Sequence, residues 1–286
     1  FGVDYHVALA IGAVVILAYT FMGGFMAVCV TDFVQGTLML VGLLAVPVIA
    51  YLFMGSGNVN SLLDQSQVAG GHEAFLSLTS NGDRPYTFVE IFSQLAWGLG
   101  YCGMPHILTR FMAVKNQKEL RKSRVIAIVW VALSLGAAVV IGVLGRAYLF
   151  PVILGTEGAA STESVFVEMI TKIFTEDLHL PFIGGLFLCG ILAAIMSTAD
   201  SQLLVTASSV SKDIYKDIFC PDADEKKILK ISRLTVIIVA VLAFAIAWNP
   251  ENSIMGLVSN AWAGLGAAFG PIVLMSLFWR RTNFAG

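Results

Sequence analysis

The sequence predicts an all-α polytopic membrane protein, and three observations support this fold class. Of the 286 residues, 57% are hydrophobic and only 13% are charged, and the mean hydropathy is +0.83. Apolar segments of about 20 residues, the length needed to cross a bilayer, recur along the chain. Lys and Arg concentrate in alternate connecting loops, as they do in membrane proteins. A soluble domain of this size would carry more charge, and no basic patch typical of nucleic-acid binding is present in the sequence.

We therefore expect about seven transmembrane helices. They are predicted at residues 7–27, 33–54, 87–111, 125–149, 181–211, 232–248 and 254–279. Each is long enough for a hydrocarbon core of about 30 Å. The connection 55–85 is polar and glycine-rich, which predicts a surface loop with a short helix. Residues 160–178 begin with Ser and Thr and show helical apolar spacing, so we expect a short surface helix there.

The loop charges predict the orientation in a plasma or inner cell membrane. Basic residues cluster after the third, fifth and seventh predicted helices, whereas the loops on the opposite side are acidic. By the positive-inside rule the three basic loops are cytoplasmic, which places Phe1 outside the cell and Gly286 in the cytoplasm. Because the chain lacks an initiator Met and both ends adjoin apolar segments, we expect a fragment of a longer protein.

Polar side chains interrupt the fifth predicted helix near its middle, at Ser197, Thr198, Asp200 and Ser201. An ionisable group at that depth costs roughly 2.5–3.5 kcal/mol and usually marks an ion or substrate pathway. At about 100° per residue, Ala194 and the three hydroxyl residues share one face, with Asp200 at its edge. Two hydroxyls and a backbone carbonyl one turn earlier suit sodium, a hard cation. The alternative is structural: the hydroxyls bond to their own helix or join two helices.

The third predicted helix contains three glycines and a proline within residues 98–105. Pro105 cannot donate to the carbonyl of Tyr101, so the helix should kink or open there. Broken helices near the membrane midplane are where transporters bind substrate. Trp97 and Tyr101 are four residues apart and would present one aromatic face to an aliphatic ring or a cationic amine. The alternative is a kinked packing helix whose glycines allow close approach.

Three further residues have a structural and a functional interpretation. Asp32 precedes the second predicted helix, where an N-cap would explain it; an ion ligand or gate residue is the alternative. Arg110 ends the third helix and is expected to reach the headgroups, with a gate salt bridge as the alternative. We expect His106 to be a hydrogen-bonded structural residue, with a proton relay as the alternative. The glycines of residues 264–271 indicate either an outer gate or close helix packing.

Several strings in this order resemble the sodium/solute symporter family, and within it the branch that transports proline. They are residues 19–25 (YTFMGGF), 31–32 (TD), 97–101 (WGLGY), 105–108 (PHIL), 110–113 (RFMA), 191–198 (ILAAIMST), 249–252 (NPEN) and 262–271 (WAGLGAAFGP). The resemblance implies an inverted five-plus-five helix repeat. Residues 1–54 would then be the last two helices of the first repeat, and residues 86–280 the second repeat, within one transmembrane domain spanning 1–286.

The resemblance also implies roles for particular residues. The implied sodium ligands are Ala194, Ser197 and Thr198. The implied substrate-binding residues are Trp97, Tyr101 and Pro105. A possible second cation would lie near Asp32, Asp200 and Ser201.

Together these features predict sodium-coupled secondary active symport of L-proline into the cell by alternating access, with sodium, proline and the lipid bilayer as partners. A sodium symporter for another small solute, such as pantothenate or a different amino acid, is one alternative. A membrane sensor domain built on the same fold is another. An enzyme is not expected, because the sequence has neither a nucleophile elbow nor a His-Glu-x-x-His motif.

Overall fold

The computed structural model describes residues 3–22, 25–55, 58–66, 71–80, 84–156, 160–249 and 254–283. Within these ranges the regular structure is helical, apart from one antiparallel bridge between Ser80 and Pro85. The long helices are α1 Tyr5–Met22, α2 Phe25–Met54, α7 Gln117–Tyr148, α9 Pro181–Ser208, α10 Glu225–Ala247 and α11 Ile254–Phe278. The shorter helices are α3 Val59–Gln65, α4 Gly71–Phe75, α5 Phe88–Gly100, α6 Pro105–Met112 and α8 Val165–Thr171.

Five helices in the described part of the chain are long and apolar enough to cross a membrane. They are Val28–Met54, Gln117–Tyr148, Pro181–Phe219, Glu225–Ala247 and Ile254–Phe278. This confirms the all-α polytopic membrane class. Helix α1 is equally apolar but shorter, and the third predicted helix is divided between α5 and α6. The count of about seven spans and the inverted repeat therefore remain predictions.

The first predicted connection is wrong. Residues 28–32 were expected to link two helices, but α1 ends at Met22 and α2 already begins at Phe25. The polar pair Thr31 and Asp32 lies inside α2, where the Thr31 hydroxyl donates to the carbonyl of Val28 at 3.0 Å. The two glycines at 23 and 24 lie outside the described residues.

Three helix ends extend beyond the predicted apolar segments, because a helix needs no apolar side chains once it has left the hydrocarbon. Helix α7 starts at Gln117, where Asn116 caps it by accepting from the Glu119 amide at 3.0 Å. Helix α10 starts at Glu225. Helix α9 continues as wide π-type turns as far as Phe219.

The short surface helices were predicted in part. Residues 160–178 contain α8, preceded by a tight turn at Thr162–Ser164 in which the Ser161 hydroxyl accepts from the Glu163 amide at 3.3 Å. That confirms the expected Ser/Thr start. The connection 55–85 contains two short helices, α3 and α4, rather than one.

The chain forms two compact units. The first comprises Phe1–Val34, Ala96–Val114 and Ile195–Gly286, and the second comprises Gln35–Leu95 and Lys115–Ala194. In the first unit, Leu203 and Ala207 of α9 pack with Val236 of α10 and with Ile16 and Leu17 of α1. In the second unit, α2, α3, α7, α8 and the π-type turn Lys172–Asp177 supply a larger buried core that includes Val46, Ala50, Leu63, Ile141, Met169, Ile170 and Ile173.

Helices α3 and α4 in the second unit are joined by one carboxylate. Asp64 accepts from the His72 amide at 2.8 Å, and the His72 Nδ1 lies 2.9 Å from its other oxygen. Gly71 precedes His72 with φ +74°, a backbone conformation that favours glycine. The hydrogen bond from the His72 amide, followed by that from its ring, lowers the pKa of Asp64 below its ordinary value.

We expect Asp64→Ala to speed amide hydrogen exchange at His72 at neutral pH, because the amide loses its acceptor. A lowered carboxyl pKa stabilises the folded state above the ordinary value of about 3.9, and that contribution is lost as pH falls through the lower, folded-state pKa. The difference between variant and wild type should therefore shrink below about pH 4. Hydrogen exchange followed by mass spectrometry measures it, with Glu73→Ala on the same surface as control. Equal exchange at His72 in both variants would contradict the prediction.

Candidate cation and substrate site

The helix that carries the two predicted aromatic residues is broken at the expected position. Helix α5 ends at Gly100, Tyr101–Gly103 form one 3-10 turn, and α6 begins at Pro105. Met104 between them is extended, with φ −87° and ψ 108°. Its amide donates to the Tyr101 carbonyl at 3.3 Å. The carbonyl to which Pro105 cannot donate therefore has another donor. Proline is well suited to the first position of α6, where an amide has no helical partner. The predicted opening of this helix is confirmed.

Trp97 and Tyr101 lie together in the first unit, but a third aromatic residue contacts both. The indole of Trp262 in α11 stacks on Trp97 with ring centroids 5.8 Å apart, and meets Tyr101 edge-on at 4.7 Å. Its Nε1 donates to the Trp97 carbonyl at 3.1 Å. Trp262 had no predicted role. The sequence signal that could have identified it is a single indole at the start of residues 262–271, a run rich in small residues.

A carboxylate in α9 is completely buried. Asp200 has 0% of its surface exposed. The Tyr19 hydroxyl of α1 lies 3.0 Å from Asp200 Oδ2 and 2.9 Å from the Met196 carbonyl. The Ser201 hydroxyl lies 3.2 Å from Asp200 Oδ1, but its shortest acceptor is the Ser197 carbonyl, at 2.7 Å. Since a hydroxyl has one proton, neither donor is committed to Asp200 alone.

A second carboxylate, Asp32, forms an ion pair with Arg110 beside this group. The Arg110 guanidinium donates to Asp32 Oδ2 and also to the Ser201 hydroxyl, at 2.6 Å. Its other terminal nitrogen donates to the His106 carbonyl at 3.1 Å. The N-cap interpretation of Asp32 is wrong, since Asp32 lies two turns inside α2. The expectation that Arg110 reaches the headgroups is also wrong, because its guanidinium bonds to Asp32, Ser201 and the His106 carbonyl. The alternative, a salt bridge, is the one observed.

These residues form a polar cluster, which we define as Tyr19, Asp32, Arg110, Asp200 and Ser201. With both carboxylates ionised, the cluster has two negative charges and one positive charge. Among the described residues, Asp32 Oδ1 is also buried without a hydrogen-bond partner. An uncompensated charge away from water is costly, so the cluster is suited to one further small cation.

The three predicted sodium ligands lie on one uninterrupted helix. Ala194, Ser197 and Thr198 are all within α9, so the shared face expected from their spacing is present. Ala194 and Ser197 are half-buried and Thr198 is exposed. Ser197 is tied to the polar cluster, because its carbonyl accepts from Ser201. The assignment of these residues to sodium stays a prediction.

Apolar helices of membrane length, a helix broken beside aromatic side chains and a buried carboxylate inside another helix together define a polytopic membrane protein of the transporter class. The model of the sodium:solute symporter family matches residues 1–286. The chain belongs to the sodium:solute symporter family. This agrees with the expectation of a transporter rather than an enzyme.

Individual relatives agree with the family match. The chain is 42% identical over 289 residues to the sodium/proline symporter of Staphylococcus aureus, with 100% of this chain and 53% of the relative covered. Identity and coverage are the same for the sodium/proline symporters of the Staphylococcus aureus strains JH9 and Newman. The chain thus spans about half the length of the curated relatives it matches.

Proposed function

We propose that this chain is part of a symporter that uses sodium to carry L-proline into the cell by alternating access. The observation that carries the proposal is the polar cluster, with a fully buried Asp200 on a helix otherwise apolar enough to span a membrane. The 42% identity to sodium/proline symporters supports proline as the solute.

Sodium is assigned to Ala194, Ser197 and Thr198, whose oxygens are the ligands that hard cations prefer. A second cation is assigned to the space near Asp32, Asp200 and Ser201, where the summed charge of the polar cluster is negative. In this proposal sodium favours the state whose proline site is complete, which couples the two ligands, and each then raises the affinity for the other by the same factor. The membrane potential adds about 2.3 kcal/mol per charge for each 100 mV.

Proline is assigned to the broken helix. Trp97 and Tyr101 offer aromatic surface against which an aliphatic ring can pack, and Pro105 starts the second half-helix. In this proposal residues 1–54 complete the first repeat and residues 86–280 form the second. Phe1 is placed outside and Gly286 inside the cell, following the basic loops.

The direct test is uptake of radiolabelled proline by the full-length parent in proteoliposomes. An inward sodium gradient should drive accumulation, an equal potassium gradient should not, and Trp97→Ala should weaken uptake at saturating sodium. Sodium-driven uptake of a different solute would keep the mechanism and replace proline. Absence of any sodium-driven uptake would favour the alternative, a membrane sensor built on this fold.

The second cation has its own test. Asp200→Asn removes one negative charge from the polar cluster, so the sodium concentration for half-maximal uptake should rise about tenfold, the size of one charge-assisted contact. The sodium dependence should also become less steep, as for one ion. Asp213→Asn is the matched control, since Asp213 is exposed on the continuation of the same helix. Unchanged sodium affinity and stoichiometry in Asp200→Asn would rule out the second cation.

A further inference from the structure

We propose that Trp262 is the residue that determines which ring size the substrate site accepts. Its indole would act as a third wall beside Trp97 and Tyr101 and hold both at a fixed spacing. This inference rests on the proposed function, since it takes Trp97 and Tyr101 as the residues that face the solute.

The first support is a hydrogen bond at the helix break. The carbonyl of Trp97 lies in the last turn of α5, just before the 3-10 turn at Tyr101–Gly103. The Trp262 Nε1 donates to that carbonyl at 3.1 Å. An indole N–H can only donate, so this bond holds the indole in one orientation against the end of α5.

The second support is ring geometry. Trp262 is nearly parallel to Trp97, with an interplanar angle of 12°, and nearly perpendicular to Tyr101, at 81°. Offset-stacked and edge-to-face pairs are the arrangements that aromatic rings prefer. Moving the Trp262 ring would therefore disturb both neighbours, and any solute packed against either neighbour has Trp262 beside it.

The third support is backbone contact around the indole. A Cβ on Gly100 would lie 2.3 Å from Trp262 Nε1, and a Cβ on Gly103 would lie 2.5 Å from the Leu265 carbonyl oxygen. A Cβ on Gly266 would lie 2.9 Å from the Gly100 Cα. Helix α11 thus contacts the broken segment at distances that only glycine permits. Because the backbone of α11 is held this close to the broken segment, the size of the Trp262 ring sets the space left beside Trp97 and Tyr101.

The experiment is Trp262→Phe in the full-length symporter in proteoliposomes. Phenylalanine keeps an aromatic ring but loses the N–H and the larger indole surface. Labelled proline uptake is competed with analogues of four-, five- and six-membered rings: azetidine-2-carboxylate, proline and pipecolate. We expect the proline concentration for half-maximal uptake to rise about fivefold, the size of one lost hydrogen bond. Pipecolate should gain relative to proline, and the sodium dependence should match wild type.

A second variant tests the position of the Trp262 ring while leaving Trp262 itself unchanged. Gly100→Ala should displace the indole and shift the ring-size preference in the same direction. Trp279→Phe, at an exposed position just beyond the end of α11, is the matched control. Thermal unfolding of each purified variant reports folding. Wild-type preference among the three analogues in a folded Trp262→Phe protein would overturn the inference.

Two outcomes separate this inference from the proposed function. If Trp97→Ala and Tyr101→Ala abolish proline uptake while Trp262→Phe changes nothing, only the role of Trp262 fails. If Trp97→Ala and Tyr101→Ala also leave uptake unchanged, the assignment of the solute to the broken helix fails with it.

Discussion

Replacing Ser197 or Thr198 with alanine is expected to raise the sodium concentration for half-maximal uptake by tenfold or more. Each change removes one hydroxyl oxygen from the face of α9 assigned to the cation. A polar contact to a charged group is worth about 1.5–3 kcal/mol, which corresponds to about 10–150-fold in affinity. The double variant should lose more than either single variant, because two ligands are gone.

Uptake of labelled proline at graded sodium concentrations measures this effect. At saturating sodium the affinity for proline should return close to that of the wild type, because the change acts on the cation. Thr206→Ala is the matched control: its hydroxyl bonds to the Gln202 carbonyl of the same helix, at 2.8 Å, as the structural alternative requires for Ser197 and Thr198. Identical sodium curves for all of these variants would favour that alternative.

The second large effect concerns stability. Arg110→Gln should lower the free energy of unfolding by about 2–4 kcal/mol, between the values for surface and buried ion pairs. The Asp32 side chain is only 16% exposed, and without the guanidinium it would share the polar cluster with Asp200 and no positive partner. Two like charges would then lie in the same low-dielectric region.

Thermal unfolding of the purified full-length protein tests this prediction. The double variant Asp32→Asn with Arg110→Gln should be more stable than Arg110→Gln alone, because neutralising Asp32 removes its repulsion with Asp200. Lys122→Gln breaks a surface pair with Glu119 in which the lysine is 61% exposed, so it should have almost no effect. A fully stable Arg110→Gln would mean that the ion pair makes no net contribution.

The parts of the fold that depend on local sequence were predicted. Hydropathy averages over about 20 residues, and Pro105 removes a backbone donor wherever the chain goes, so the membrane class and the broken helix could be derived without coordinates. The start of α2 could not be derived in this way. Thr31 and Asp32 also match the N-cap pattern, and the local sequence does not show that Asp32 pairs with Arg110.

The connections within the site are not local. Arg110 and Asp32 are 78 residues apart, Tyr19 and Asp200 are 181 apart, and Trp262 and Trp97 are 165 apart. No periodicity links such positions, so the sequence indicated which residues are unusual but not which of them meet. Trp262 was missed for this reason: its partners lie on a helix far away in the chain.

The length of α9 has a consequence for how the cation residues can be observed. Its 28 residues span about 42 Å, which already exceeds a hydrocarbon core of about 30 Å, and wide turns carry it on to Phe219. Asp200 and the exposed end thus belong to one continuous rod. A tilt of about 10° at Asp200 would displace the far end by about 5 Å. A spectroscopic label at Lys216, about four turns beyond Asp200, would therefore amplify the motion of the cation-binding residues into a measurable distance.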